Sequence, residues 1–115
     1  MEVKTEQYLS AKTCKNDDVV MFLDDGHEKE EKDKYTNKMV INYYFRVLVN
    51  DKDEYVYTPK GKSLKMLSDG LGKQTSKWIG RKFKVKIVSM EAYGQVRDLI
   101  RPEIIPIPSV IEEHI

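Results

Sequence analysis

Between Met39 and Val49 the chain alternates with a period of two. Met39, Ile41, Tyr43, Phe45, Val47 and Val49 fall on one side, and Asn42, Tyr44 and Arg46 on the other. Only an extended strand separates these sets, because its side chains point to opposite faces in turn, whereas a helix would mix them. A polar second face places one side on a core and the other in solvent, as in an antiparallel sheet. Asn50-Asp51-Lys52-Asp53 then supplies turn residues, and Glu54-Tyr55-Val56-Tyr57 starts a returning strand that Pro59 stops. The centre of the chain is therefore a hairpin.

Other elements are legible around it. Val19-Val20-Met21-Phe22-Leu23 is an apolar run between acidic pairs and reads as a buried strand. The stretch 27–38 is almost wholly charged, either a solvated connection or the exposed ends of two strands. Leu64, Met66, Leu67 and Leu71 recur at near-helical spacing with Gly70 and Gly72 as terminators, which predicts one helix over 62–71. A short turn carries Trp78, expected to plug one end of a barrel rather than to serve as a stacking platform. Phe83, Val85 and Ile87 alternate with Lys82, Lys84 and Lys86 in a further strand. Alternation returns over 92–100, with Val96 and Ile100 expected in the core.

The expected architecture is mainly β with one short helix: a five-stranded OB-like Greek-key barrel with the helix between strands three and four. An SH3-like barrel is the competitor, disfavoured by the helix. Three segments are expected: a loosely ordered lead-in over 1–18 with an extended piece at Tyr8 and Leu9, the barrel over 19–101, and an extended Pro/Ile-rich arm over 102–115. Pro102, Pro106 and Pro108 exclude a central strand from that arm.

Composition narrows the function. A chain of 115 residues, 40% hydrophobic, buries one core without disulfide or metal staples. The single cysteine, Cys14, excludes an internal disulfide and fits a reducing compartment. No apolar run approaches the roughly 20 residues of a membrane span, and the polar start, Met1 to Glu6, does not resemble a signal peptide. The net charge of +1 conceals a division. Residues 1–57 hold 9 Lys/Arg against 13 Asp/Glu, and residues 58–101 hold 11 Lys/Arg against Asp69, Glu91 and Asp98, a net of +8. Such a segment presents a positive face to a polyanion, or else complements the acidic half internally.

The run Thr58-Pro59, then Ser63-Leu64-Lys65-Met66-Leu67, then Gly72-Lys73-Gln74-Thr75, then Trp78-Ile79-Gly80-Arg81-Lys82 resembles a group of small OB-like proteins of phages, archaeal viruses and plasmids. Their pattern is a strand ending in Thr-Pro, a short helix, Gly-Asp-Thr, and Trp-Ile-Gly-Lys opening a lysine-rich strand. Lys73-Gln74 stands here where that pattern is acidic, and Arg81 where it has lysine. The resemblance implies an OB-like fold and, for some members, single-stranded DNA binding or a part in replication. A viral chain of this kind would work in the host's cytoplasm.

No constellation for catalysis is expected. His27 and His114 lack spaced partners, Cys14 stands alone, and Asp17, Asp18, Asp24, Asp25 and Glu28 match no calcium-loop spacing. No enzyme, cofactor or metal site is expected. The candidate nucleic-acid-binding residues are Tyr44, Arg46, Tyr55, Tyr57, Arg81, Lys82, Lys84 and Lys86. If Val56 faces inward, Tyr55 and Tyr57 join Tyr44 and Arg46 on the outer face, where rings stack on bases and the basic groups neutralise phosphates. The alternative is that tyrosines and lysines there only favour strands and blunt an edge. A second function class is a protein-interaction or assembly module, in which Ile104–Ile111 contacts another copy or another protein. No membrane partner is expected.

Overall fold

The computed structural model describes residues 7–92 and 94–107. Six antiparallel strands form an open sheet: β1 (Val19–Phe22), β2 (His27–Lys32), β3 (Met39–Val49), β4 (Asp53–Tyr57), β5 (Lys82–Ala92) and β6 (Gln95–Ile104). One α-helix, α1 (Gly61–Leu71), and a short 3-10 turn, Thr75–Lys77, separate β4 from β5. The expected count of five strands is thus corrected to six, and the helix lies between the fourth and fifth. The cause is β2. Its six residues, His-Glu-Lys-Glu-Glu-Lys, contain nothing apolar, and their extended form comes from pairing with β3 rather than from their own propensity.

β3 is the spine of the sheet. β1 pairs with its second half, Phe22 opposite Val47, and β2 with its first, His27 opposite Tyr44. The first chain advances five positions while β3 recedes three, so two extra residues bulge out between β1 and β2. Asp24 fills that bulge: its Oδ1 accepts the Arg46 N–H at 3.1 Å and the Gly26 N–H at 3.0 Å. Leu23 N–H donates to the Arg46 carbonyl, so β1 and β2 follow the same edge of β3. Gly26 is required here: its φ is +75°, and a Cβ would meet the Phe45 ring at 2.6 Å.

β4 takes the other edge of β3, and β5 pairs with the free edge of β1 and then with β6. Among the described residues β4 and β6 do not pair with each other. The lead-in lies along the outer edge of β4 instead. Val56 N–H donates to the Gln7 carbonyl and Leu9 N–H to the Val56 carbonyl, at 2.7 and 2.8 Å. Further on, Asp17 N–H donates to the Val85 carbonyl, Val85 N–H to the Asp18 carbonyl, and Ile87 N–H to Asn16 Oδ1.

The core lies on the face shared by Val20, Phe22, Phe45, Val47, Phe83 and Val85, closed by Leu67 and Leu71 of α1. Phe22 is its centre, with ring centroids 5.2 Å from Phe45, 5.4 Å from Trp78 and 5.7 Å from Phe83. Trp78 is buried, stacks on Phe45, and donates its indole N–H to the Gly72 carbonyl at 2.8 Å. α1 lies close on β6: the Ser63 hydroxyl donates to the Ile100 carbonyl at 2.8 Å, and a Cβ on Gly70 would stand 2.7 Å from Ile104.

Three expectations about the ends of strands are corrected. Val96 is 70% exposed, because the β5–β6 hairpin projects past the core. Met39 and Ile41 are more than half exposed for the same reason at the far end of β3. β6 also runs on through Pro102, which pairs opposite Val85 and is buried. Ile105 N–H donates to the Lys82 carbonyl, so by alternation the backbone nitrogen of Pro102 faces the free edge, where no N–H is needed. The arm over 102–115 therefore begins inside the sheet. Met1 to Glu6 of the lead-in, and Val110 and Ile111 of the arm, lie outside the described residues.

Candidate nucleic-acid interface

Directly paired residues project to the same side of a sheet, so register tells which side chains share a face. Leu48, Met21 and Lys82 form one row across β3, β1 and β5, and Val19, Lys84 and Glu103 the next. This outer face, opposite the core, also carries Tyr44 and Arg46 on β3 and Lys86 on β5. Five of the eight candidate residues are thus brought to one side.

Tyr55 and Tyr57 are not among them. Tyr55 pairs with Val47 and Tyr57 with Phe45, on the core face, and Tyr57 is 4% exposed. The turn decides this. Val49 pairs with Asp53 across three residues, Asn50 and Asp51 both at positive φ, so odd positions meet odd positions. Val56 faces outward, opposite Arg46, and the expected outward pair of tyrosines is corrected to an inward one. Burial of Tyr57 pushes its phenol pKa up.

Three of the five candidates on the outer face, Tyr44, Arg46 and Lys86, are already engaged. The Tyr44 hydroxyl bonds to Glu31 Oε1, which also accepts Asn42 Nδ2 at 2.9 Å. The hydroxyl holds the Glu31 carboxyl below its ordinary pKa and is itself pushed up to about 12. The His27 ring stacks on Tyr44 at 5.4 Å, and Lys29 Nζ lies 5.3 Å from the ring centroid. Arg46 is bound bidentately by Glu54, and Lys86 lies 2.7 Å from Asp17 and 3.5 Å from Glu103. Arg81 is half-buried, with Nε unpartnered among the described residues. Lys82 and Lys84 form no ion pair among the described residues. The acidic candidates have local duties: Asp24 fills the bulge, Asp17 pairs with Lys86, and Asp18 accepts the Lys15 N–H. No cluster that could hold a metal forms among the described residues.

A second feature joins two residues that no sequence pattern singles out, Tyr35 and Arg97. Tyr35, 71% exposed, stands in the β2–β3 loop, which Asp33 Oδ1 shapes by accepting the Tyr35 and Thr36 N–H groups. Arg97 reaches it from the β5–β6 hairpin, with Nη2 2.9 Å from the Tyr35 hydroxyl and the guanidinium 5.9 Å from the ring centroid. Beside this pair runs a groove of about 530 Å³ between the β2–β3 loop and the Pro59–Leu64 segment, lined among others by Lys32, Lys34 and Lys60. Pro59 opens the groove. Continuing the β3–β4 register would set it opposite Tyr43, where it has no N–H to offer, and among the described residues no strand pairs with the edge of β3 beyond. An aromatic residue within a lysine-rich turn was the only local signal for Tyr35; Arg97, 62 positions away, gave none. Compared with models of protein families, with curated proteins and with solved structures, the chain finds no match in any of the three.

Proposed function

We propose that this chain is a non-catalytic module that binds single-stranded nucleic acid. The observation that carries the reading is Tyr35, an exposed ring with the Arg97 guanidinium at its hydroxyl, at the head of a groove. Lys32, Lys34 and Lys60 there outnumber the carboxylates Glu31 and Asp33, both of which are engaged in hydrogen bonds. A base stacks on such a ring whatever its identity, and lysines along the groove track the phosphates. Chain order supports it. A bent first strand (β1 with β2), β3 and β4 meander, the helix follows, β5 returns to the first strand, and β6 completes the set, as in OB-type barrels. In this reading Gln7 to Leu9 occupy the seam that barrel closure would use, and the contact surface runs from the groove onto Lys82 and Lys84.

The test is fluorescence anisotropy with labelled single-stranded DNA, single-stranded RNA and duplex DNA over a salt series. Micromolar binding to a single strand, weakening with salt by a slope of several phosphates, is the expected result. No binding at low salt rejects it.

A second reading, an assembly module, is favoured by the exposed Met39 and Ile41 beside the uncovered edge of β3. It requires concentration-dependent sedimentation that Ile41→Lys abolishes.

A further inference from the structure

The groove beside Tyr35 carries one side chain that a path for phosphates alone would not select. Glu31 lines it among Lys32, Lys34 and Lys60. The other carboxylate there, Asp33, is tied into its own loop, with Oδ1 accepting the Tyr35 and Thr36 N–H groups. Glu31 is held differently. Its partners are two side chains that also line the groove, the Tyr44 hydroxyl and Asn42 Nδ2, and both bond to Oε1. Register puts the three on one face: Glu31 pairs with Val40, and Asn42 and Tyr44 follow at two-residue steps along β3. The Tyr44 and Asn42 bonds, with Lys29 and Lys60 in electrostatic reach, hold the carboxyl below its ordinary pKa, so it is ionised at neutral pH.

Two acceptors are left over. Among the described residues Glu31 Oε2 receives no hydrogen bond, and neither does Asn42 Oδ1, because the amide turns its Nδ2 to the carboxylate. An ionised carboxylate only accepts hydrogen bonds. It repels a phosphate, whereas the N–H groups of a base edge satisfy it.

We infer that Glu31, with Asn42, reads base edges in this groove and selects bases that carry an amino group over thymine and uracil. This selection rests on the single-strand reading and deepens it, since stacking on Tyr35 and lysine–phosphate contacts are blind to base identity. Cytosine offers its N4 amine and adenine its N6 amine, and guanine sets N1–H beside its N2 amine, a match for a carboxylate. Thymine and uracil hold a single N3–H between two carbonyl oxygens, and those oxygens meet acceptors. Discrimination comes as much from that repulsion as from the new bonds.

The experiment is fluorescence anisotropy at neutral pH and fixed salt, with labelled cytosine-only and thymine-only single-stranded DNA of equal length. It compares the full chain with two variants. The unaltered chain is expected to bind the cytosine strand about fivefold to tenfold tighter than the thymine strand. Glu31→Gln is isosteric and still offers an oxygen to Tyr44 and Asn42, so the fold is kept. Its amide suits thymine carbonyls as well as amines, and the two affinities are expected to become equal. Glu30→Gln removes the same charge from the opposite face of β2, where Glu30 pairs with Ile41. It is expected to tighten both strands alike and to keep the preference, which separates base reading from charge. Equal affinity for the two strands in the unaltered chain overturns the inference, as does a preference that survives Glu31→Gln or vanishes in Glu30→Gln. Each of these leaves the groove standing as an unselective site, whereas no binding of either strand at low salt rejects the groove and this selection together.

Discussion

Arg46 closes on both carboxylate oxygens of Glu54, with Nη2 2.7 Å from Oε1 and 2.8 Å from Oε2. A residue that sequence alone offers as a phosphate contact is thus answered within its own hairpin. Arg46→Ala is expected to change single-strand affinity little. Glu54→Gln, which frees the guanidinium and removes a negative charge, is expected to raise affinity severalfold and steepen the salt slope by about one. Anisotropy of the two variants over a salt series checks both.

Tyr35→Ala removes the exposed ring while leaving the Asp33 turn intact. If the groove takes bases, affinity falls by about fivefold or more, whereas Tyr55→Phe, half-buried on the core face, leaves it unchanged. Equal losses in both variants would point to the fold rather than to the groove.

Tyr57 bears on stability: its hydroxyl is buried without a partner among the described residues, so Tyr57→Phe is expected to leave stability unchanged or raise it by up to about 1 kcal/mol. Tyr57→Ala opens a cavity beneath Phe22 and Phe83 and costs about 3–5 kcal/mol. Urea denaturation followed by Trp78 fluorescence reads both.

Burial, with Asp18 nearby, pushes the Cys14 thiol from 9.0 up to about 11. A thiol that holds its proton more tightly when folded contributes stability that is fully present below the unfolded value. That contribution is lost as pH climbs from about 9 towards about 11. Cys14→Ala is therefore expected to flatten the alkaline fall in melting temperature. At neutral pH the native thiol reacts with iodoacetamide far more slowly than the urea-unfolded one.

Gly26→Ala forces a Cβ into the Phe45 ring at positive φ and is expected to cost about 2 kcal/mol or more, read as a lowered urea midpoint.

What the sequence discloses and what it hides follow from how each signal arises. β3 is legible because its side chains sort themselves by parity over its whole length. β2 is not, since its partner rather than its composition holds it extended. The directions of Tyr55 and Tyr57 depend on whether the Asn50–Lys52 turn spans an odd or even count, which hydrophobicity does not record when the residues on both faces are apolar. Pro102 marks the end of a central strand but is tolerated on an edge, and only the sheet order shows that β6 is one. Trp78 is buried as expected of an indole that follows a helix, but the sheet it packs on is open rather than a barrel with an end to plug. The Tyr35–Arg97 and Ser63–Arg101 hydrogen bonds join residues far apart in the chain, so no local window contains either.

The stitching of Gln7 and Leu9 to Val56, and of Asn16 to Asp18 along β5, also has a kinetic consequence. Each of these bonds joins an early residue to one made much later, so loop closure rather than local propensity sets the folding rate. As the chain leaves a ribosome, β1, β2, β3 and β4 meet first as a meander whose β1 edge is bare until Phe83 arrives. That bare edge is the chain's exposure to mispairing with a neighbouring nascent copy, and it closes only once β5 has emerged.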